Sequence, residues 1–219
     1  MSTYLITGAN RGIGFEMTRL LLKRGDQVIA ACRKASSQLF ELGAEVLENV
    51  DVSQSESIHE MANSLAGRPI DVLINNAGIL SSEPLSDLDL SRVQRQFEVN
   101  TLGPLLVSQA LLPNLSAGSK LIIITSRMGS IADNTSGGMY GYRISKAGVN
   151  MVGKSLAEDL RDRDIAVRIL HPGMVATEMT GRNGIPPAES ASGLINRIDE
   201  LTIDATGEFW HANGERLPW

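Results

Sequence analysis

The sequence predicts an α/β protein in which a parallel sheet carries helices on both of its faces, the doubly wound arrangement. Short apolar segments alternate with longer amphipathic segments along the chain, which is typical of successive strand–helix–strand units. Residues 72–74 and 122–124 are apolar at every position, as expected for strands that are covered on both faces. The length of 219 residues suits a single domain, residues 1–219, built around one sheet.

Six strands of a sheet of about seven can be located, together with four helices. We expect strands at residues 4–7, 27–31, 45–49, 71–74, 120–125 and 166–170. We expect helices at residues 14–24, 53–65, 90–112 and 142–163. Gly25 stands at the stop position of the first helix, and Ser53 with Glu56 predicts a capping box that opens the second.

Composition and charge exclude several classes of function. The net charge is −5 and the 20 basic residues are scattered, so we expect no nucleic-acid partner. No segment approaches the roughly 18 apolar residues of a membrane span, and a strand begins too early for a signal peptide. The single cysteine, Cys32, suits a reducing compartment, so we expect a cytoplasmic protein. The three histidines are far apart in the sequence, and we expect no metal site.

A glycine-rich loop directly follows the first strand. Gly8 allows a tight turn, Gly12 allows the backbone to approach a pyrophosphate, and Gly14 lets the next helix pack closely on the sheet. The free N–H groups at the start of that helix attract phosphate groups. The loop therefore predicts a dinucleotide site. Its other members that we assign to the site are Asn10, Arg11 and Ile13.

The spacing of these glycines, Gly-x-x-x-Gly-x-Gly, resembles that of the short-chain dehydrogenase/reductase superfamily, and further motifs of that family follow in order. They are Asp51-Val52 after the third strand, Asn75-Asn76-Ala77-Gly78 after the fourth, Asn100 on the long helix, Ser126 after the fifth strand, the pair Tyr142 and Lys146, and Pro172-Gly173 with Val175 and Thr177 after the sixth. The resemblance covers nearly the whole chain.

This resemblance implies a Rossmann-type domain that binds a nicotinamide dinucleotide. It places Asp51 and Val52 at the adenine, and it assigns Asn76, Ala77, Gly78, Tyr142, Lys146, Pro172, Gly173, Val175 and Thr177 to the cofactor site. The compact length, the Tyr-Arg-x-Ser-Lys form of the signature and residues 207–219 look like the C-factor and sniffer-like branch of carbonyl reductases. Members of that branch are NADPH-linked reductases, and one is known as a developmental signalling protein.

The residues of this resemblance suit the reduction of a carbonyl group. A carbonyl that accepts hydride needs a proton donor, and a tyrosine with an unperturbed pKa near 10 needs help to work near neutrality. Lys146 lies one helical turn after Tyr142, and its charge is expected to lower the tyrosine pKa. We expect Ser126 to hold the substrate oxygen and Asn100 to complete a proton relay through water.

Some neighbouring residues compete for these roles. Ser130 and Thr125 are alternatives to Ser126, which its position after the strand favours. Tyr140 has no lysine four residues later, which leaves Tyr142 as the proton donor. The glycine-rich residues 133–139 look inserted between Ser126 and Tyr142, and substrate choice is expected from the loop and short helix at residues 177–198.

The second predicted strand favours NADPH over NADH. An NAD site usually has an acidic residue after this strand, whereas this chain has Arg33, which can pair with a 2′-phosphate. Arg11, inside the glycine loop, is a second cation near the same phosphate. The alternative is that Arg33 and Lys34 form a solvated strand end.

We therefore expect an NADPH-dependent enzyme that reduces a small aldehyde or ketone to an alcohol. The alternative is an NADP-binding signalling or regulatory protein of the C-factor type. The presence of all four catalytic residues argues against this alternative, because cofactor binding alone would not require them. A sugar-nucleotide epimerase is disfavoured by the glycine spacing and by the length. The resemblance also implies a homodimer or homotetramer, built on the helices at residues 90–112 and 142–163.

Overall fold

A seven-stranded parallel sheet runs through the computed structural model, which describes all residues, Met1–Trp219. The strands are β1 Thr3–Thr7, β2 Gln27–Ala31, β3 Glu45–Leu47, β4 Val72–Asn75, β5 Lys120–Ile124, β6 Ala166–His171 and β7 Glu208–His211. Their spatial order is β3-β2-β1-β4-β5-β6-β7, and every neighbouring pair is parallel. The doubly wound fold class is confirmed.

The six located strands are confirmed with small differences at their ends, and β7 completes the sheet. β3 ends at Leu47 rather than Asn49, because Asn49 adopts the left-handed region with φ of 62°, which no strand continues through. β7 pairs with β6, with Glu208 opposite Arg168. Its four residues are too short and too polar at their ends to give a strand pattern.

Seven α-helices connect the strands. They are α1 Gly12–Arg24, α2 Ser37–Glu41, α3 Ser55–Ser64, α4 Leu90–Phe97, α5 Gly103–Ala110, α6 Tyr140–Asp159 and α7 Pro187–Asp199. Gly25 ends α1 in the left-handed conformation, as predicted. The predicted capping box at Ser53 is wrong: α3 begins after Gln54, and the Asp51 carboxylate instead accepts the backbone N–H and the hydroxyl of Ser53.

The predicted single helix at residues 90–112 is also wrong, because it is interrupted. A π-helical turn, Glu98–Leu102, separates α4 from α5. Pro104 has no N–H, so the carbonyl of Asn100 lacks the donor that a continuous α-helix would supply four residues ahead. The turn is buried at Val99, Asn100 and Thr101, which places this irregular segment inside the protein.

The core lies in two layers, one on each face of the sheet. On one face, strand residues such as Leu5 and Ile123 pack with Met61 of α3 and Val149 of α6. On the other face, their neighbours along the strands pack with α1 and α7, in a cluster that includes Ile6, Ile122, Met17 and Leu194. Alternate residues of each strand therefore serve opposite layers, as the period-two geometry of a strand requires.

The order of the strands reverses between β1 and β4, where the crossovers leave the sheet in opposite directions. In such sheets, ligands bind beyond the carboxyl ends of the strands at this position. The segment at residues 177–198 crosses this edge as a 3₁₀ turn, Glu178–Thr180, followed by α7. None of the helices combines the length and the apolar character that crossing a bilayer needs.

Candidate active site

A cleft of about 940 Å³ opens at the carboxyl ends of the central strands. It brings together most of the residues that the sequence assigns to the site: Gly8, Asn10, Arg11, Gly12, Ile13, Gly14, Arg33, Asp51, Val52, Asn76, Ala77, Gly78, Tyr142, Lys146, Pro172 and Thr177. Four assigned residues, Asn100, Ser126, Gly173 and Val175, lie outside its lining. Val175 is buried, and Gly173 packs near His211.

The glycine loop leaves bare backbone on the wall of the cleft. Gly8 has φ of 67°, and a Cβ at this residue would lie 2.9 Å from the Cα of Ala77. A Cβ at Gly14 would lie 2.4 Å from the carbonyl oxygen of Gly8, so only glycine lets α1 start this close to the turn. This cradle and the N-terminus of α1 fit the pyrophosphate of a dinucleotide.

The segment after β4 is fastened to the glycine loop. The Asn76 amide donates to the carbonyl oxygens of Thr7 and Gly8, at 2.9 and 3.2 Å. The Thr7 hydroxyl accepts the backbone N–H groups of Asn76 and Ala77, at 3.0 and 3.1 Å. These bonds join the ends of β1 and β4, so the two motifs form one rigid floor of the cleft.

Charged residues gather at the end of the cleft beyond β2 and β3. Burial acts to raise the pKa of Asp51, but hydrogen bonds from Ser53 and the charges of Arg95 and Arg33 hold it below its usual value. Arg95 reaches this end from α4 and donates to the Ser53 hydroxyl at 2.7 Å. Arg33 makes no ion pair in this structure, which leaves its guanidinium free for an anion.

The Arg11 side chain bridges the cleft. Its guanidinium donates to the carboxylate of Glu178 at 2.6 Å, and both side chains are largely exposed. Glu178 and the nearby Arg182 line the cleft, as do Arg95, Cys32 and Met179. Glu178, Met179 and Arg182 belong to the segment at residues 177–198, from which substrate choice was expected. The sequence motifs miss Arg95, because it reaches the cleft from α4 without any local pattern.

The predicted proton donor and its lysine partner are buried at the inner end of the cleft. Burial raises the pKa of Tyr142 to about 12, and a hydrogen bond with Ser126 opposes this shift. Burial lowers the pKa of Lys146 to about 8, and its ammonium donates to the carbonyl of Ile124 at 3.1 Å. The Lys146 nitrogen lies 5.8 Å from the centre of the Tyr142 ring. The expected lowering of the tyrosine pKa by the lysine is therefore not seen in the protein alone.

Of the three candidate hydroxyls, only that of Ser126 acts to lower the pKa of Tyr142. Thr125 instead donates to the Asn150 amide oxygen at 2.7 Å. The Ser130 hydroxyl accepts the backbone N–H of Asp133 at 3.1 Å. Ser126 likewise accepts the backbone N–H of Met128, so its effect on the pKa of Tyr142 is what distinguishes it from the two alternatives.

Asn100 lies on the π-helical turn, and its side chain is fully engaged. The amide oxygen accepts the N–H of Ile79 at 2.8 Å, and the amide nitrogen donates to the Ile79 carbonyl and to Ser145. Ser145 in turn donates to the carbonyl of Tyr142 at 2.8 Å. The Asn100 side chain therefore joins the segment after β4 to α6.

The inserted-looking residues 133–139 form an exposed loop that does not line the cleft. Gly137, Gly138 and Met139 all adopt positive φ values, between 49° and 65°. Arg143, the residue after Tyr142, donates to the carbonyls of Gly137 and Gly138 and to the Ser136 hydroxyl. The loop is thus held on α6 beside the tyrosine.

Two histidines that are far apart in the sequence meet beyond β6. The rings of His171 and His211 are 4.7 Å apart in an edge-to-face arrangement. Burial, with the nearby charges of His211, Arg127 and Lys146, lowers the pKa of His171 to about 3. Parallel pairing of β6 with β7 brings them together, so no spacing rule could have found this pair.

The fold and the glycine-lined cleft define a doubly wound protein of the Rossmann type. The family model described as short chain dehydrogenase matches residues 2–185. The chain belongs to this family of oxidoreductases, as the sequence motifs predicted.

Relatives and solved structures agree with this assignment. The chain is 44% identical over 226 aligned positions to a 1-hydroxy-2-glutathionyl-2-methyl-3-butene dehydrogenase of Rhodococcus sp. strain AD45, with all of both proteins covered. It is 43% identical to the C-signal of Myxococcus xanthus, over 72% of this chain and 98% of that protein.

Two similar structures are carbonyl reductases. The NADPH-bound carbonyl reductase from chicken fatty liver has a TM-score of 0.91 at 31% identity, covering 100% of this chain and 99% of that one. Carbonyl reductase Sniffer of D. melanogaster has a TM-score of 0.91 at 29% identity, with both chains fully covered. The predicted place in the C-factor and sniffer-like branch is confirmed.

Proposed function

We propose that the protein is an NADPH-dependent reductase of aldehydes or ketones in which Tyr142 donates the proton. The observation that carries this proposal is the burial of Tyr142 and Lys146 together at the inner end of a glycine-lined cleft, with the Ser126 hydroxyl acting on the pKa of the tyrosine. A neutral tyrosine hydroxyl is a competent donor to a carbonyl oxygen that gains charge. Its raised pKa keeps it protonated at neutral pH, as reduction requires.

The residues present fit a dinucleotide along the cleft. The cradle of Gly8, Gly12 and Gly14 would hold its pyrophosphate, and Asp51 with Val52 would lie at its adenine. Gly78, Lys146 and the Asn100 amide are close neighbours, since a Cβ at Gly78 would lie 3.2 Å from the amide oxygen and 3.7 Å from the lysine nitrogen. In this proposal Lys146 would donate to the cofactor's nicotinamide ribose. The cofactor supplies the hydride, and the protein positions and polarises the carbonyl.

The preference for NADPH rests on Arg33. Its guanidinium lines the cleft and makes no ion pair, and its charge helps to lower the pKa of Asp51. A planar guanidinium binds a phosphate through paired hydrogen bonds. The NADPH-bound carbonyl reductase from chicken supports the same cofactor.

The backbone carbonyl of Asn100 is our choice for the relay that returns a proton to Tyr142. Pro104 deprives this carbonyl of its helical donor, so it can accept a hydrogen bond from a water. The side chain of Asn100 fixes the turn through Ile79 and Ser145. Asn100 would therefore act by its main chain, with its amide setting the geometry.

A second copy of the chain is the partner that the surface supports. Leu105 of α5, Ile144 and Met151 of α6, and Phe97 and Leu102 of the neighbouring segments are exposed large apolar residues. Ile144 and Met151 are 50% and 67% exposed and lie two turns apart on one face of α6, and grouped apolar surface of this kind is typical of an interaction site. We propose a homodimer or homotetramer through these helices. Met151→Lys should shift the mass found by light scattering toward the monomer, and an unchanged mass would contradict this interface.

The deciding experiment is cofactor titration followed by turnover of aldehydes, ketones and quinones at saturating NADPH. The panel includes an aldehyde that bears a glutathionyl thioether, because the Rhodococcus relative acts on a glutathionyl alcohol. We expect Tyr142→Phe to bind NADPH normally and to lose roughly two or more orders of magnitude in kcat. Tyr140→Phe is the matched control and should keep its activity.

The alternative is an NADP-binding signalling protein, and the similarity to the C-signal of Myxococcus xanthus is the observation that favours it. Tight NADPH binding with no turnover on the whole panel would support this alternative. Equal activity of Tyr142→Phe and the wild type would refute the role of the tyrosine.

A further inference from the structure

The turn that carries Ser126 is seated directly on α6. Arg127–Gly129 forms a single 3₁₀ turn, and the Ser126 hydroxyl accepts the N–H of Met128 at 3.1 Å. A Cβ at Gly129 would lie 2.6 Å from the carbonyl carbon and oxygen of Lys146. The turn therefore sets how far Ser126 stands from Tyr142, which lies one helical turn before that contact.

Arg127, the residue after Ser126, holds this turn from the other side. Its guanidinium lies 2.6 Å from the carboxylate of Glu215 and 3.4 Å from that of Asp133. Asp133 belongs to the loop that follows the turn, whereas Glu215 belongs to residues 213–219, which we call the strap. One side chain thus links the serine turn to a segment more than eighty residues away.

Glu215 is a fixed partner because its backbone is held at the end of β7. Its carbonyl accepts the N–H of His211 at 2.8 Å, and its N–H donates to the Asn213 side chain at 2.9 Å.

The rest of the strap is anchored as well. Trp219 stacks on the buried Phe209 with ring centres 5.4 Å apart, and its carbonyl accepts the N–H of Ala132 at 2.9 Å. The strap therefore contacts both the sheet and the segment that follows the serine turn.

We propose that Arg127, through Glu215, is a positioning residue that holds Ser126 in register with Tyr142. The inference rests on the proposed function, which assigns Ser126 and Tyr142 to the reaction. It extends that function to the strap, which lies beyond residues 2–185 of the family match. Arg127 touches neither substrate nor cofactor in this proposal and acts only by placing the serine.

The energetics predict a distinctive result for this ion pair. The side chains of Arg127 and Glu215 are 41% and 52% exposed, and exposed pairs contribute about 0–1 kcal/mol to stability. Catalysis is far more sensitive, since a displacement of about 1 Å in a reacting group costs up to roughly a hundredfold in rate. Loss of the pair should therefore lower kcat with little effect on the free energy of unfolding.

The experiment compares Glu215→Gln, Arg127→Met and Arg127→Lys with a matched control, Glu45→Gln. Glu45 pairs with Arg68 at 2.6 Å with exposures of 45% and 42%, and it lies far from the cleft. We expect Glu215→Gln and Arg127→Met to lower kcat about tenfold, with the dissociation constant of NADPH unchanged. Arg127→Lys keeps the charge and should retain most of the rate. The control should match the wild type.

Hydrogen–deuterium exchange gives a readout that does not depend on activity. Residues 126–133 should exchange faster in Glu215→Gln than in the wild type or in Glu45→Gln. If the wild type reduces no carbonyl, the proposed function fails, and the exchange result still decides whether the pair holds the turn. Unchanged exchange in this segment, or an equal loss of NADPH affinity and kcat, would overturn the positioning role.

Discussion

The two ends of the cleft are held by different kinds of interaction. At the end that we propose for the cofactor, the glycine loop and the segment after β4 are fixed by backbone approaches and hydrogen bonds, such as those of Asn76 to Thr7 and Gly8. The end that we propose for the substrate has close backbone approaches too, such as that of Gly129 to Lys146, and it adds ion pairs of exposed side chains, Arg127 with Glu215 and Arg11 with Glu178.

The difference teaches where each end can change. A backbone cradle tolerates no added atoms, so its geometry is the same whatever substrate the enzyme takes. Ion pairs between exposed side chains contribute little to stability, so the substrate end can be altered without unfolding the protein. We infer that cofactor binding and substrate positioning can be separated by mutation.

The sharpest separation should come from two glycines. Gly14→Ala would place a Cβ 2.4 Å from a carbonyl oxygen in the cofactor cradle, and Gly129→Ala would place one 2.6 Å from the backbone of Lys146. Overpacking of this kind costs about 1–3 kcal/mol in unfolding free energy. Gly14→Ala should weaken NADPH binding roughly a hundredfold, about 2.7 kcal/mol. Gly129→Ala displaces Lys146, which serves both ends, so it should lower kcat far more than it weakens NADPH binding. Calorimetric titration with steady-state kinetics tests both variants.

The reverse pattern, with Gly129→Ala losing cofactor and Gly14→Ala losing only kcat, would contradict the division of the cleft into two ends. Gly43→Ala is the control for alanine at a glycine. Its Cβ would meet no atom within 4 Å, although its φ of 77° still carries some strain.

Acid should destabilise the folded protein through His171, the last residue of β6. The folded-state pKa of this imidazole is lowered from 6.5 to about 3, so the unfolded chain takes up a proton that the folded protein refuses. Stability is therefore fully present above pH 6.5 and is lost as the pH falls toward 3, with a slope of at most about 1.4 kcal/mol per pH unit. The free energy of unfolding, measured with denaturant at several pH values in this range, should depend less steeply on pH in His171→Gln than in the wild type. His59→Gln, at an exposed histidine of α3, should leave the slope unchanged.

Arg33 tests the cofactor end by charge alone. Arg33→Ala removes an unpaired guanidinium of the cleft, so the dissociation constant of NADPH should rise roughly tenfold to a hundredfold while that of NADH stays constant, since hydrogen bonds to charged groups contribute about 1.5–3 kcal/mol. Lys34→Ala is the matched control, because this neighbouring cation does not line the cleft. An equal loss of both cofactors would point to damage of the cleft rather than loss of a phosphate contact.

The smallest effect is expected where the two ends meet. The carboxylate of Glu178 pairs with the Arg11 guanidinium at 2.6 Å. In our proposal it competes there with the 2′-phosphate of NADPH. Glu178→Gln should free Arg11 and tighten NADPH binding about twofold, because an exposed pair of this kind contributes less than about 1 kcal/mol. Fluorescence titration can resolve a change of this size, and weaker binding in the variant would show that the pair supports the site instead.

Much of the site was predictable because its residues follow strands in local motifs. Gly8, Asn76, Tyr142 and Thr177 each carry a signal within a few residues, and the sheet brings the carboxyl ends of its strands to one edge. The interruption of the helix at residues 98–102 also had a signal in the sequence, because Pro104 cannot donate a backbone hydrogen bond, but the prediction of one long helix did not use it. The seventh strand lacked a signal because its four residues gain order only by pairing with β6.

The sequence by itself determined the fold class, the family and the chemical groups of the site, because each depends on local spacing and on the period of the apolar residues. Only the tertiary structure decided that the Asn100 amide bonds to Ile79 and Ser145. The same holds for the raised pKa of Tyr142 and for the ion pair of Arg127 with Glu215. These features depend on which distant segments become neighbours and on how much water they exclude. Neither quantity is contained in the spacing of residues along the chain.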